Sequence, residues 1–319
     1  MPNDYRWARL TEADADAWAA LTNTLAEVDD TDEFFEPGDL VEELTEDGVD
    51  PERDSWAVWD GDRLVAFGGL RVSPTLGHDG QAKAYFFGGV HPEHRGRGIG
   101  RRLMDELEAR GRELTAQRHP GMPAVFAADG GLRGSSASAM LEHRGYAVVR
   151  WFNQLARDVT PEVPAAPDLP GGVRLVPVSE DLKAGLLAAH NAAFRDHWGS
   201  AEVTAASWDH RWVARANRHD LSSVALDDEG RVLAYVLCQE WVDGELYVAT
   251  VGTVAAARGQ GLAQACLARS LERAAAAGGF TRADLHVDSA SPTGATRLYE
   301  RLGFEVARTF AAYQRPQEG

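Results

Sequence analysis

The chain has 319 residues, and its 32 Lys and Arg against 49 Asp and Glu leave a net charge of -17. That balance repels nucleic acid unless a local basic stripe outweighs it, so no nucleic-acid partner is expected. Cys238 and Cys266 are the only cysteines and form no CxxC pair, which excludes a disulfide framework and a thiolate metal site. No apolar segment follows Met1 and no run approaches the roughly 18 apolar residues of a membrane helix, so a cytoplasmic protein with no membrane partner is expected.

In chain order, Arg6-Trp-Ala-Arg-Leu-Thr-Glu12 comes first. Glu27 to Asp50 follows, with Asp29, Asp30, Asp32, Glu33, Glu36, Glu42, Glu43, Glu46 and Asp47. It reads as a solvated charge run that could also draw a cationic amine. Ala57-Val-Trp-Asp-Gly-Asp-Arg-Leu-Val-Ala-Phe67 predicts an antiparallel hairpin around a turn at Asp60. An apolar, β-rich run from Tyr85 to Val90, containing Gly88 and Gly89, then enters His91-Pro-Glu-His-Arg-Gly-Arg-Gly-Ile-Gly100 and an amphipathic helix from Ile99 to Leu114. Glycines there let the backbone turn tightly and present N–H groups that no side chain screens. The positive end of the helix dipole adds to them, which makes the loop a cradle for a pyrophosphate. Arg95, Arg97, Arg101 and Arg102 form the one compact basic cluster, suited to a cofactor phosphate. His91 and His94 have the wrong spacing for two metal ligands on one helical face, and with Pro92 between them they read as a solvated loop; no metal is expected.

Met140-Leu-Glu-His-Arg-Gly-Tyr146 closes the first half. Residues 158–172, with prolines at 161, 164, 167 and 170, read as an extended, semi-rigid linker. The pattern then repeats. Arg174 to Glu180 matches Arg6 to Glu12, and Ala225 to Tyr235 matches Ala57 to Phe67 with its turn at Asp227, both 168 positions on. A strand-like run from Leu246 to Val254, a loop Arg258-Gly-Gln-Gly-Leu-Ala263 and a helix from Leu262 to Ala277 match the first glycine loop, 163 positions on. Leu298 to Phe304 matches Met140 to Tyr146, 158 positions on. Ordered offsets that shrink through small deletions indicate two diverged copies of one domain, expected at 1–157 and 173–319 with 158–172 between them.

RxxGxG (Arg95, Gly98, Gly100) and RxxGxA (Arg258, Gly261, Ala263) resemble the acetyl-CoA loop of the GNAT superfamily of N-acetyltransferases, and the duplication resembles its tandem, mycothiol-synthase-like members. The resemblance covers nearly the whole chain. It implies an α/β fold of two GNAT domains, each a mixed, mainly antiparallel, splayed sheet flanked by helices. It also implies acetyl-CoA as acyl donor and a small-molecule amine as acceptor. Cofactor contacts are expected from Gly88, Gly89, Val90, Arg95, Gly96, Arg97, Gly98, Ile99 and Gly100. In the second copy they are expected from Val251, Gly252, Thr253, Arg258, Gly259, Gln260, Gly261, Leu262 and Ala263.

Acetyl transfer needs a neutral amine, a polarised thioester carbonyl and a stabilised thiolate leaving group. Glu245 is the expected base, with Asp243 and Glu240 as competitors, and a backbone N–H near Val251 to Thr253 is expected to meet the carbonyl. Ser291-Pro-Thr-Gly-Ala-Thr-Arg-Leu-Tyr-Glu-Arg-Leu-Gly-Phe304 resembles the second GNAT signature, whose tyrosine approaches the CoA sulfur; here that residue is Tyr299. Pro292 stands where the family often has asparagine. The first copy has Leu141 at the tyrosine position, so it is read as a non-catalytic domain that has kept its cofactor loop, and 173–319 as the enzyme. Asp196-His-Trp-Gly199 lies in the region where the family forms part of its acceptor pocket, or is an ordinary helix end. The alternative function is a non-catalytic acyl-CoA sensor or scaffold. The acceptor and the oligomeric state do not follow from the sequence.

Overall fold

The computed structural model describes residues 5–46, 48–291 and 294–317. The chain forms two compact units, Met1–Trp151 with Phe310–Gly319, and Phe152–Thr309.

The first unit contains β1 (Arg6–Ala8), α1 (Ala15–Asp29), α2 (Pro37–Leu44), α3 (Pro51–Asp54), β2 (Ser55–Asp60), β3 (Arg63–Val72), β4 (Ala82–Val90), α4 (Ile99–Arg118), β5 (Ala124–Leu132) and α5 (Ser136–His143). Its sheet runs β1-β2-β3-β4-β5, and among the described residues of these five strands only β4 and β5 pair in parallel. Side-chain alternation along the strands gives the sheet two apolar faces. Ala57 and Trp59 of β2 pack with Trp18, Leu21, Leu40 and Leu44 of α1 and α2. Trp56 and Val58 pack on the other face with Leu103, Met104, Leu107 and Leu114 of α4. The expected hairpin is present: Asp60 pairs with Arg63 across Gly61, whose φ of 59° suits a residue without a side chain.

The second unit repeats the scheme. It contains β7 (Arg174–Pro177), α6 (Lys183–Ala193), α7 (Ala205–Trp212), β8 (Ser223–Leu226), β9 (Val232–Gln239), β10 (Glu245–Thr253), α8 (Leu262–Ala277), β11 (Arg282–Asp288) and α9 (Ala295–Arg301). The order is β11-β10-β9-β8-β7, with β10 and β11 the parallel pair. Leu186, Trp208, Trp212 and Tyr235 fill one face, and Cys266, Leu267, Leu271, Val248 and Leu285 fill the other. Among the described residues no helix is long and apolar enough to cross a membrane.

The compact units do not follow the repeat boundaries at 157 and 173. Strand β6 (Ala147–Asp158) ends the first copy, yet its Phe152–Asp158 portion pairs antiparallel with β11 of the second unit, from Phe152 opposite Asp288 to Asp158 opposite Arg282. Strand β12 (Glu305–Pro316) ends the second copy, yet its Phe310–Pro316 portion pairs with β5, and Ala311 and Tyr313 complete the first unit's core. The copies have exchanged their last strands. The segment 158–172 is also more than a spacer, because Val159, Val163 and Leu169 pack on the core of the second unit.

Candidate acetyl-CoA loops and acceptor clefts

In both units the central parallel pair comes apart midway. Among the described residues β4 pairs with β5 only from Ala82 to Phe86, and β10 with β11 only from Glu245 to Tyr247. The following halves of β4 and β10 therefore turn backbone groups toward an open cleft. Gly88, Gly89 and Val90 lie on one such edge, and Val251, Gly252 and Thr253 on the other. A bulge between Val248 and Thr250 accompanies the opening in β10, and Gly88 at φ 146° accompanies it in β4.

Gly88 and Gly252 are also required by packing inside their units. A Cβ on Gly88 would sit 2.5 Å from the Phe67 carbonyl oxygen, one on Gly89 2.3 Å from Leu25 Cδ1, and one on Gly252 2.4 Å from Tyr235 Cε1. Tyr235 crosses the strand there because His190 Nδ1 lies 2.8 Å from its hydroxyl. Burial pushes the His190 pKa down to about 4, with the Arg211 charge acting in the same direction.

Each splayed strand continues through a 3₁₀ turn, Pro92–His94 or Ala255–Ala257, into a glycine loop and a long helix. Gly96 and Gly98 have φ of 73° and 85°, and Gly259 and Gly261 have 77° and 76°. Gly98 and Gly261 are the N-caps of α4 and α8 and supply no capping side chain, so the first-turn N–H groups are left for an external acceptor. Ile99, Gly100, Leu262 and Ala263 form those first turns, and Arg97 and Gln260 sit between the glycines.

The two motif arginines point elsewhere. Arg95 donates from Nε to the Val90 carbonyl at 3.0 Å and makes a bidentate pair with Asp29, at 2.9 and 2.6 Å. Arg258 donates to the carbonyls of Thr253, at 3.4 Å, and Ala193, at 2.9 Å. Both guanidiniums tie the strand end to the end of the first helix of their unit, so the backbone is the part of each loop turned outward. Arg97 donates to the Glu93 carbonyl and the Tyr5 hydroxyl, and Arg102 stacks over Trp7.

Tyr299 is carried by α9, is 7 % exposed and lies edge-on to Phe304 with ring centroids 6.2 Å apart. Burial pushes its hydroxyl pKa up to about 12. The matching Leu141 is 2 % exposed in the first unit's core. Pro292 and Asp47 lie outside the described residues. Glu245 begins β10, opposite Arg282 and 3.3 Å from its guanidinium. Six residues of extended strand, about 20 Å, separate it from Val251, so the structure does not bring the two together.

Two polar groups at the cleft mouths were missed from sequence. In the second unit the Tyr247 hydroxyl lies 3.4 Å from His286 Nδ1, on the neighbouring strands β10 and β11 just where their pairing ends. In the first, Tyr85 donates to Asp129 across β4 and β5. Beside them burial, then Asp129 and Glu43, push the Glu33 carboxyl up to about 7, although other atoms of the residue reach solvent. The signal was available in the form of single polar residues interrupting strand-like runs, as in Phe126-Ala-Ala-Asp129 and Asp284-Leu-His286.

Two loop readings are corrected. The acidic segment is not merely solvated: Asp29 holds Arg95, Glu43 and Glu46 lie 3.3 and 3.2 Å from Arg71, and Asp39, 1 % exposed, caps α2 through the Glu36 N–H. Nor are His91 and His94 solvated, each being 7 % exposed. Their ligand atoms and that of Glu93 lie within 4.8 Å of one another. However, Arg63 donates to His91 Nε2 at 2.7 Å, so that lone pair serves a hydrogen bond, and His94 Nδ1 lies 2.9 Å from the Tyr5 hydroxyl as its hydrogen-bond partner.

A family model described as "Acetyltransferase (GNAT) family" matches residues 15–122 and 184–304. A mycothiol acetyltransferase of Streptomyces scabiei is 32% identical over 240 residues, 70% of this chain and 69% of that protein. One from Salinispora arenicola is 32% identical over 245 residues, 71% of each. A GCN5-related N-acetyltransferase from Sphaerobacter thermophilus has the same fold, with a TM-score of 0.74 at 24% identity, covering 99% of this chain and 96% of that one. So does a tandem GNAT protein from the clavulanic acid biosynthesis pathway, with a TM-score of 0.68 at 16% identity over 99% of both chains.

Proposed function

Starting from a chain that belongs to the acetyltransferase (GNAT) family and is an acetyl-CoA-dependent acetyltransferase, we propose that it acetylates the primary amine of a small molecule, with the chemistry in the Phe152–Thr309 unit. The observation that carries this reading is Tyr299, a buried hydroxyl in the second unit where the first has Leu141. The donor's phosphates rest on the N–H groups of 259–263, and its thioester reaches the splayed edge at 251–253. The amine nitrogen attacks the carbonyl carbon, an N–H of that edge stabilises the oxyanion, and the carbon–sulfur bond breaks.

Tyr299 then meets the sulfur. A hydroxyl pKa of about 12 stays protonated at any working pH, but full transfer to a thiolate of pKa about 8.5 would be uphill by several pK units. The hydroxyl therefore acts mainly as a hydrogen-bond donor to the developing thiolate. For the amine proton, Glu245 remains one acceptor, and His286 beside Tyr247 stands nearer the point where the strands part.

Release of free CoA thiol across a panel of primary amines, including the substrate of the mycothiol acetyltransferases, tests the proposal. Turnover with one amine, lowered about ten- to a hundred-fold in Tyr299→Phe with acetyl-CoA affinity kept, is expected. CoA binding without turnover of any amine would instead favour an acyl-CoA sensor. Glu245→Gln and His286→Ala separate the two bases: the variant of the one that takes the proton loses kcat while keeping its affinity for acetyl-CoA.

A further inference from the structure

The proline-rich segment of the second unit has an unexpected neighbour. Pro161, Pro164, Pro167 and Pro170 recur every third residue, the period of a polyproline II helix, so they share one edge while Val163, Ala166 and Leu169 share another. Val163 and Leu169 turn inward and pack on the unit's core, while Ala166 between them is exposed. The segment is pinned at its start by the Val159 N–H donating to the Thr281 carbonyl at 3.0 Å, and it turns at its end where the Val173 N–H donates to the Pro170 carbonyl at 3.1 Å. Between those points, among the described residues, no backbone–backbone hydrogen bond holds 161–169.

Pro167 stands on Gly261, the N-cap of α8. A Cβ at Gly261 would lie 2.6 Å from Pro167 Cγ and 3.3 Å from Pro167 Cβ. Among the described residues the equivalent of Gly261 in the first unit, Gly98, has nothing within 4 Å of a Cβ, and neither do Gly96 and Gly259. Of the two N-caps, Gly261 is covered and Gly98 is open among the described residues. A phosphate oxygen bonded to a loop N–H must come to within about 3 Å of the nitrogen, the same space a pyrrolidine ring takes when it rests on the loop.

We propose that 161–169 is a strap over the second glycine loop, which CoA must lift from Gly261 to bind. This rests on the reading of 258–263 as the phosphate cradle. The covered state lowers the apparent affinity of that loop by the fraction of time it is closed. Because the strap is held by a few apolar contacts and no hydrogen-bond ladder, it can open without disturbing the sheet beneath.

Peptide-resolved hydrogen exchange and calorimetry on the full chain, with CoA as the probe, test this. With CoA, residues 259–265 should become protected while the non-proline amides of 162–169 stay unprotected. Pro167→Gly, at an exposed position, should tighten CoA at the second loop by about three- to ten-fold while leaving protection at 96–101 unchanged. Leu169→Ser, which loosens the strap from its inward edge, should act in the same direction. If CoA protects 259–265 but neither variant tightens it, or if 162–169 becomes protected as well, the strap is a wall of the site and the proposal falls. If CoA gives no protection at 259–265, cradle and strap fall together.

Discussion

Arg95 and Arg258 meet the family motif, yet each guanidinium is spent within its own unit. Their side-chain partners imply a stabilising role that a phosphate ligand would not have. A double-mutant cycle of Arg95→Ala and Asp29→Asn, read by chemical denaturation, should give a coupling of about 1 kcal/mol, since the pair is bidentate and only partly exposed. Loss of CoA binding with unchanged stability in Arg95→Ala would make it a phosphate ligand after all. His190 offers a second test. Its folded pKa of about 4 lies below the ordinary 6.5, so between these values the unfolded chain binds a proton that the folded chain refuses. The contribution of His190 to stability should be flat above pH 6.5 and fall by up to about 3 kcal/mol as pH drops toward 4, so the difference between the parent chain and His190→Gln should carry that slope. An unaltered curve in the variant would assign the acid lability to other groups.

At the scale of elements, Gly261 concentrates three demands: a left-handed backbone, an N-cap that leaves first-turn N–H groups unsatisfied, and room for Pro167. Gly261→Val should remove CoA binding from the second unit in a calorimetric titration while leaving the first loop's heat, because a β-branched side chain is strained at that φ and would screen the loop. Retained affinity at both loops would argue against the phosphate cradle. The glycine loops, the helix Leu262–Ala277 and the hairpins at Asp60 and Asp227 were legible in sequence because each is specified by residues within a few positions of one another. The cleft-mouth groups were less so. Tyr247 and His286 lie 39 positions apart and Tyr85 and Asp129 lie 44 apart, and only strand register brings them together. Glu245 stands two positions before the apolar alternation of Tyr247, Ala249 and Val251, but register places it against Arg282.

At the scale of the whole molecule, the exchange of last strands matters most, and the repeat conceals it: similarity marks where a copy ends, not where its final strand pairs. A fragment of residues 1–157 should fail to fold as a monomer, because it lacks the Phe310–Pro316 strand beside β5 and the core residues Ala311 and Tyr313. Fragments 1–172 and 173–319, produced together, should recover near-native circular dichroism and cooperative melting. A stable, cooperatively melting 1–157 monomer would show that β12 is dispensable to the first unit. The same exchange constrains synthesis on the ribosome. The first unit's edge strand is made roughly 180 residues after its other strands, a delay of about 9 to 36 seconds at ordinary elongation speeds. The N-terminal half must wait with β5 unpaired along that edge, so the codons for Phe310–Pro316 decide whether the first half of the protein survives.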